Sequence, residues 1–260
     1  AVASGPHRRD PGLMRRLGAA IGGVATVLAA AVAGPAPVSA AGGHEAVRTC
    51  RGQAVTIAFD DPGVGLTING TSGPDVILGG PGDEHINAGG GADIVCGGNG
   101  RDTINGGTGI DQLFGQGDSD LFKGPDLGQD RITGGERDFD VAQYAQLPTG
   151  VTVDESSGVV HMTGAGVTGA IVGVERVVGT PFPDVLIGRA GNDSLLGGAG
   201  EDTVDGRGGS NELDGGPARD TVSYASSTER VSVNLGNDLV VRATSDDEIR
   251  SFESVIGSPF

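Results

Sequence analysis

Residues 97–105 read GGNGRDTIN, and close copies flank them: AGGGADIVC at 88–96 and GGTGIDQLF at 106–114. Around this phrase two rows recur every nine residues. The apolar row is Ile77, Ile86, Val95, Ile104, Leu113 and Phe122; two places before each stands an acid, Asp75, Glu84, Asp93, Asp102, Asp111 and Asp120. A second stretch repeats both rows in one register, with Leu186, Leu195, Val204, Leu213 and Val222 behind Asp184, Asp193, Asp202, Asn211 and Asp220. Eleven copies therefore keep the apolar position at the ninefold spacing.

The phrase fits G-G-x-G-x-D-x-U-x, where U is a large aliphatic residue, and on that ground the chain resembles the RTX, or haemolysin-type, calcium-binding repeat proteins. The resemblance implies an all-β chain, a parallel β-roll solenoid of nonapeptide repeats, with calcium as its ligand. The physics of the phrase stands beside that. Paired glycines accept φ > 0, so the first half of each repeat can turn tightly. The x-U-x half is a strand of about three residues. Alternation along it sends U inward and its two neighbours outward. Two phrases make one turn of a flattened coil, so equivalent residues stack at i and i+18. Asp75, Asp93 and Asp111 then form one column, Glu84, Asp102 and Asp120 another, and Asp184, Asp202 and Asp220 a third.

Stacked strands lie about 4.8 Å apart, so these carboxylates repel one another inside turns lined with carbonyls. An all-oxygen, anionic setting suits calcium, which takes about 6–8 oxygen ligands in flexible geometry. Magnesium demands a stricter octahedron, and zinc prefers Cys or His, of which the arrays offer only Cys96 and His85. Asp is also a common turn residue, and a solenoid whose aspartates only satisfy turns is the competing reading. Asn211, a neutral amide, makes the Asp193–Asn211 step a weaker expected site than Asp184–Asp202, because affinity follows ligand charge among other things.

The chain has 260 residues, 50 of them Gly, with no Trp and 3% aromatics. A conventional core of this size would use more aromatic area. The formal charge of −17 argues against nucleic acid and anionic membranes as partners and for cations. No protein partner is indicated.

Residues 1–40 resemble targeting sequence: Met14-Arg15-Arg16, a small apolar run from Leu17 to Gly34, and the exit Val38-Ser39-Ala40. Cleavage near Ala40 is expected, with a membrane anchor as the alternative, which Pro35 and Pro37 and the many glycines disfavour. This places the mature chain outside the cell or on its surface, with no membrane insertion after cleavage. Residues 1–40 carry four Arg and one Asp, so the −17 of the whole becomes −20 for the remainder.

Residues 41–69 read as a short capping segment, with strands at Ala54–Phe59 and Leu66–Ile68. The only two cysteines are Cys50, within it, and Cys96. In a secreted chain two cysteines suggest one disulfide, with two free thiols as the alternative. Residues 70–141 form the first array. Its end is irregular: 124–133 carries one extra residue and 134–142 lacks the fourth glycine. Asp130 and Asp140 are thereby displaced from the ninefold row, and of the two only Asp130 is kept as a candidate ligand.

Residues 142–178 read as a β-hairpin module, with strands at Val151–Val153 and Val159–Met162. The second array spans 179–224, and a second hairpin module spans 225–260. The modules align, YAQLPTGVTVDESSGVV (144–160) with YASSTERVSVNLGNDLV (224–240), and VERVVGTPF (174–182) with FESVIGSPF (252–260). A unit of about 80 residues, array then hairpin, is thus present twice, and the sequence reads as cut from a longer repeat protein.

No enzyme chemistry is found. His44-Glu45-Ala46-Val47-Arg48 is half of a zincin motif, with Arg48 where the second histidine belongs. There is no G-x-S-x-G elbow and no phosphate-binding loop. The sequence reading is a secreted calcium-binding repeat protein, not an enzyme, that folds on binding the ion. The alternative is a fragment of a larger secreted enzyme, toxin or adhesin in which the repeats are a folding module.

Overall fold

One inward aliphatic side chain per nine residues, with glycine turns between, calls for very short strands joined by tight corners. A computed structural model describes residues 48–58, 65–123, 130–135, 138–164 and 168–260, and the backbone of Thr26–Val27. Among these residues strands of two to five residues alternate between two twelve-stranded sheets, and no helix occurs. The first sheet takes Thr67–Asn69, His85–Asn87, Thr103–Asn105 and Leu121–Lys123; the second takes Ile57–Ala58, Val76–Leu78, Ile94–Gly98 and Gln112–Gln116. Neighbours are parallel and, from Thr67 on, 18 residues apart, with Ile104 beside Ile86 and Leu113 beside Val95; Ile57 lies beside Ile77 at a separation of 20. The chain is a parallel β-roll.

The inward row forms the core. Ile77, Ile86, Val95, Ile104, Leu113 and Phe122 are buried between the sheets, and Leu186 through Val222 continue them. The extra residues at the end of the first array do not disturb this stacking. Ile132 lies beside Leu113 and Ala142 beside Phe122, at separations of 19 and 20. The inward side chains dictate the register, and the surplus residues are left to the corners. Asp130 and Asp140, displaced from the ninefold row in the sequence, are therefore in step in space.

The two arrays form one continuous stack. Val151–Asp154, Val159–Met162 and Thr168–Val172 pair antiparallel with one another and are spliced into the second sheet between Arg131–Gly135 and Val185–Ile187. Across the core, Val141–Gln143, Arg176–Val178 and Ser194–Leu196 of the first sheet pair directly. A second antiparallel run, Ser232–Asn234, Leu239–Val241 and Asp246–Arg250, joins the first sheet beside Glu212–Asp214. Tyr144 and Tyr224 are buried at the start of the two runs.

At the other end Thr49–Cys50 and Gln53–Ala54 make a small antiparallel ladder. It is held to the roll by a Cys50–Cys96 disulfide, with Cα atoms 5.9 Å apart. Cys96 occupies an outward position of its strand, yet the cap covers it completely, and the Arg51 guanidinium lies over the Phe114 ring at 4.8 Å. Residues 1–40, read from the sequence as targeting, lie outside the described residues except for Thr26–Val27, whose backbone pairs in parallel with Thr67–Ile68.

Candidate metal centre

Each acid of the repeat sits at the last corner before its strand, and one of its carboxylate oxygens is already used. Asp93 Oδ1 accepts from Asp75 N–H at 2.8 Å, and Asp111 Oδ1 from Asp93 N–H at 2.8 Å. On the opposite corner Glu84, Asp102 and Asp120 donate in turn to Asp102, Asp120 and Asp140, each at 2.8 Å. Asp111 N–H donates to Asp130 Oδ1 at 2.9 Å. In the second array Asp184 donates to Asp202 and Asp202 to Asp220, both at 2.8 Å. The i+18 columns read from the sequence are present, with a difference in detail: the carboxylates do not face each other across a gap but hang one turn on the backbone of the turn before.

The second oxygen is where the corners become reactive toward cations. Among the described residues Oδ2 of Asp93, Asp102, Asp120, Asp140, Asp202 and Asp220 is buried with no hydrogen-bond partner. A buried acceptor left unmade costs about 1–3 kcal/mol, and more when charged. The first acid of a run differs, for its second oxygen is tied down locally: Asp75 by Thr71 N–H at 2.7 Å, Glu84 by Gly80 N–H at 3.0 Å and Asp184 by Thr180 N–H at 2.6 Å.

The glycine five places before Asp102, Asp120 and Asp202 leaves this oxygen room. A methyl on Gly97 would lie 2.3 Å from Asp102 Oδ2 and 2.8 Å from the carbonyl oxygen of Gly115; on Gly197 it would lie 2.4 Å from Asp202 Oδ2 and 2.6 Å from that of Gly215. Carboxylate and carbonyl of successive turns thus converge on one small volume. Among the described residues no cluster of three or more His, Cys, Asp or Glu side chains could hold a metal. Any ion here would be held by one carboxylate with backbone carbonyls, a hard oxygen donor set of the type calcium prefers. The residues fit that ion.

The electrostatics agree. Burial, reinforced by neighbouring carboxylates, pushes Asp102 up to about 8 and Asp120 to about 7. It pushes Asp93, Asp140 and Asp202 to about 6. The hydrogen bond from the preceding turn works against the rise in each case and does not cancel it. These corners hold their charge poorly without a positive partner.

Several residues join the columns that the ninefold row did not reach. Asp140, Glu175, Asp247 and Glu253 accept from the backbone N–H of Asp120, Asp140, Asn211 and Asp220 respectively. A usable signal was present: each stands two places before a residue in an apolar strand position, Ala142, Val177, Ile249 and Val255. Asn211 behaves unlike a weakened ligand. Its Oδ1 accepts from Asp193 N–H at 3.0 Å, while its NH2 donates to the carbonyls of Gly206 and Gly208 and to Asp247 Oδ1 at 3.0–3.1 Å.

A parallel β-roll with buried, half-satisfied carboxylates at its corners defines a class of cation-binding repeat solenoid. The RTX calcium-binding nonapeptide repeat matches the chain in four copies, over residues 67–95, 97–124, 178–213 and 187–222. The chain carries RTX-type repeats in these stretches, and repeats of this family bind calcium. Among solved structures it is similar to the extracellular lipase LipA from Serratia marcescens, at 16% identity and a TM-score of 0.23. That alignment covers 75% of this chain and 38% of the lipase chain. No curated protein matches the sequence.

Proposed function

We propose that this chain is a secreted calcium-binding β-roll with a structural, non-catalytic role, whose fold is completed by the ion. The observation that carries the reading is the recurring orphaned Oδ2, of which Asp102 is the best example: it is buried beside a carbonyl of the next turn, in a space that only glycine leaves open. Asp93, Asp102, Asp120, Asp140, Asp202 and Asp220 supply the free carboxylate oxygens. Asp75, Glu84, Asp111, Asp130 and Asp184 complete the columns on which these hang. Asp193 and Asn211 lie in the same columns, with their oxygens engaged by the protein.

Ion binding supplies folding free energy when the unfolded chain has no site. The roll buries about one aliphatic side chain per nine residues and concentrates carboxylates along two lines of corners. Without calcium, the chain is expected to lose most of its β-structure. Far-UV circular dichroism during a calcium titration of the mature chain tests this, and a spectrum identical with calcium and with excess chelator would sink it. Export through an N-terminal signal cut near Ala40 is part of the same proposal; N-terminal sequencing of the exported protein checks it.

A further inference from the structure

The corners leading into the first sheet do not all leave an oxygen free. From Glu84 to Asp140 the column follows the common pattern and ends on Glu175, whose Oε2 accepts from Asp140 N–H at 2.9 Å. It resumes as Asp193, Asn211 and Asp247, and there no carboxylate oxygen is left without a partner among the described residues.

The partners are guanidinium groups. Arg189 grips Asp193 twice, with its backbone N–H on Oδ2 at 2.6 Å and its side chain on Oδ1 at 2.9 Å. It also reaches Glu175 at 3.2 Å and lies 3.8 Å from Glu155. It thereby bridges Glu175 to Asp193, the step at which no backbone N–H to carboxylate bond links the two corners. Arg242 comes from the second antiparallel run, about 35 residues along the chain. Its guanidinium donates to the carbonyls of Arg207 and Gly209 and to Asp247 Oδ1, the last two at 2.6 Å. Those carbonyls are the second and fourth of the repeat starting at Gly206, and the carboxylate belongs to the following turn. Carbonyls of a glycine corner plus one carboxylate are the donor set that elsewhere in the roll stands open.

We propose that Arg189 and Arg242 are built-in cations filling two of the roll's ion positions, so that the column Asp193–Asn211–Asp247 is closed without calcium. This rests on the calcium reading of the open corners. A guanidinium presents its donors in a fixed planar fork and keeps its charge at any ordinary pH, and the amide of Asn211 covers the remaining carbonyls between the two arginines.

Crystals of the calcium-loaded full chain, measured for calcium anomalous signal, test this. Ions are expected within about 2.6 Å of Oδ2 of Asp102, Asp120 or Asp202, and none on Asp193 or Asp247. An ion on either of the last two would overturn the proposal. A roll with no ion at Asp102, Asp120 and Asp202 either would overturn both this and the calcium reading, and the occupancy of those three corners tells the two failures apart. In solution, native mass spectrometry should count the same number of ions for the parent and for Arg242→Lys, and one more for Arg242→Ala. An Arg242→Ala chain that gains no ion, or that calcium does not fold, refutes the assignment.

Discussion

Replacing Asp102 by Asn separates the two tasks of the repeat acid. The new side chain keeps an oxygen for Glu84 N–H, now accepted at 2.8 Å. It puts an NH2 group where Oδ2 stands buried and unpartnered. Asn211 shows what such a group does in this fold, for its NH2 donates to the carbonyls five and three places earlier at 3.0 and 3.1 Å. Relief of one buried unmade acceptor is worth about 1–3 kcal/mol and one new bond of this kind about 1 kcal/mol, so with a single such bond the ion-free roll should gain roughly 2–4 kcal/mol. With calcium the sign reverses. A lost site forfeits about 2.7 kcal/mol at a calcium level a hundred times its Kd, so the variant and parent should be equally stable on the order of that concentration and the parent ahead above it. Asp102→Ala, by contrast, removes the same oxygen but strips Glu84 N–H of its acceptor, a loss of about 1–3 kcal/mol that offsets the relief, so it should gain nothing without calcium and fall behind the parent once calcium binds. Urea unfolding followed by circular dichroism at graded calcium resolves the three chains. If Asp102→Asn needs more calcium to fold than the parent does, the orphaned oxygen is not what makes the roll depend on the ion.

The two buried tyrosines should respond oppositely to loss of the hydroxyl: Tyr224 donates to Asp247 Oδ2 at 3.0 Å, whereas Tyr144 Oη has no partner among the described residues. Tyr224→Phe should cost about 1–3 kcal/mol and Tyr144→Phe nothing or less than nothing, as thermal unfolding of the calcium-loaded chains would show. In the ion-free chain Asp93, Asp102 and Asp120 have folded values of about 6 to about 8, above their unfolded values near 4, so the folded state binds more protons and its stability falls as pH rises through that window. Acidifying a chelated sample from pH 8 to pH 5 should therefore recover β-structure, while weakening calcium binding; β-content that instead rises with pH in chelator would contradict the burial of these groups. The Cys50–Cys96 bond spans 46 residues and is worth about 4 kcal/mol in the chain-entropy account; intact-mass analysis should find no alkylatable thiol, and the double Ser variant should unfold at clearly lower urea.

The roll was legible in the sequence because its inward row and its corner row share one period and one register, and the structure keeps both at 18 residues from Asp75 to Asp120. Strict counting misplaced Asp130 and Asp140, since the sheets constrain only the inward side chain and a corner can lengthen without moving it. Reading Asp or Glu two places before any strand apolar residue would have recovered Asp140, Glu175, Asp247 and Glu253. Arg189 and Arg242 were not recoverable by spacing. One acts four residues from its acid within a corner, the other across a separation set by the antiparallel run that carries it, and neither repeats.

The two antiparallel runs meet the roll differently. Val151–Asp154 and Val159–Met162 lie inside their sheet with no counterparts facing them across the core, whereas Ser232–Asn234 and Leu239–Val241 are the outermost strands of the other sheet among the described residues. At about 4.8 Å per strand the first run adds nearly 10 Å to one face of the roll between the two arrays. The chain crosses between sheets an odd number of times from the strand before one run, Val141–Gln143, to the strand before the other, Thr221–Ser223. The two runs consequently fall on opposite sheets; an even count would have put both on one.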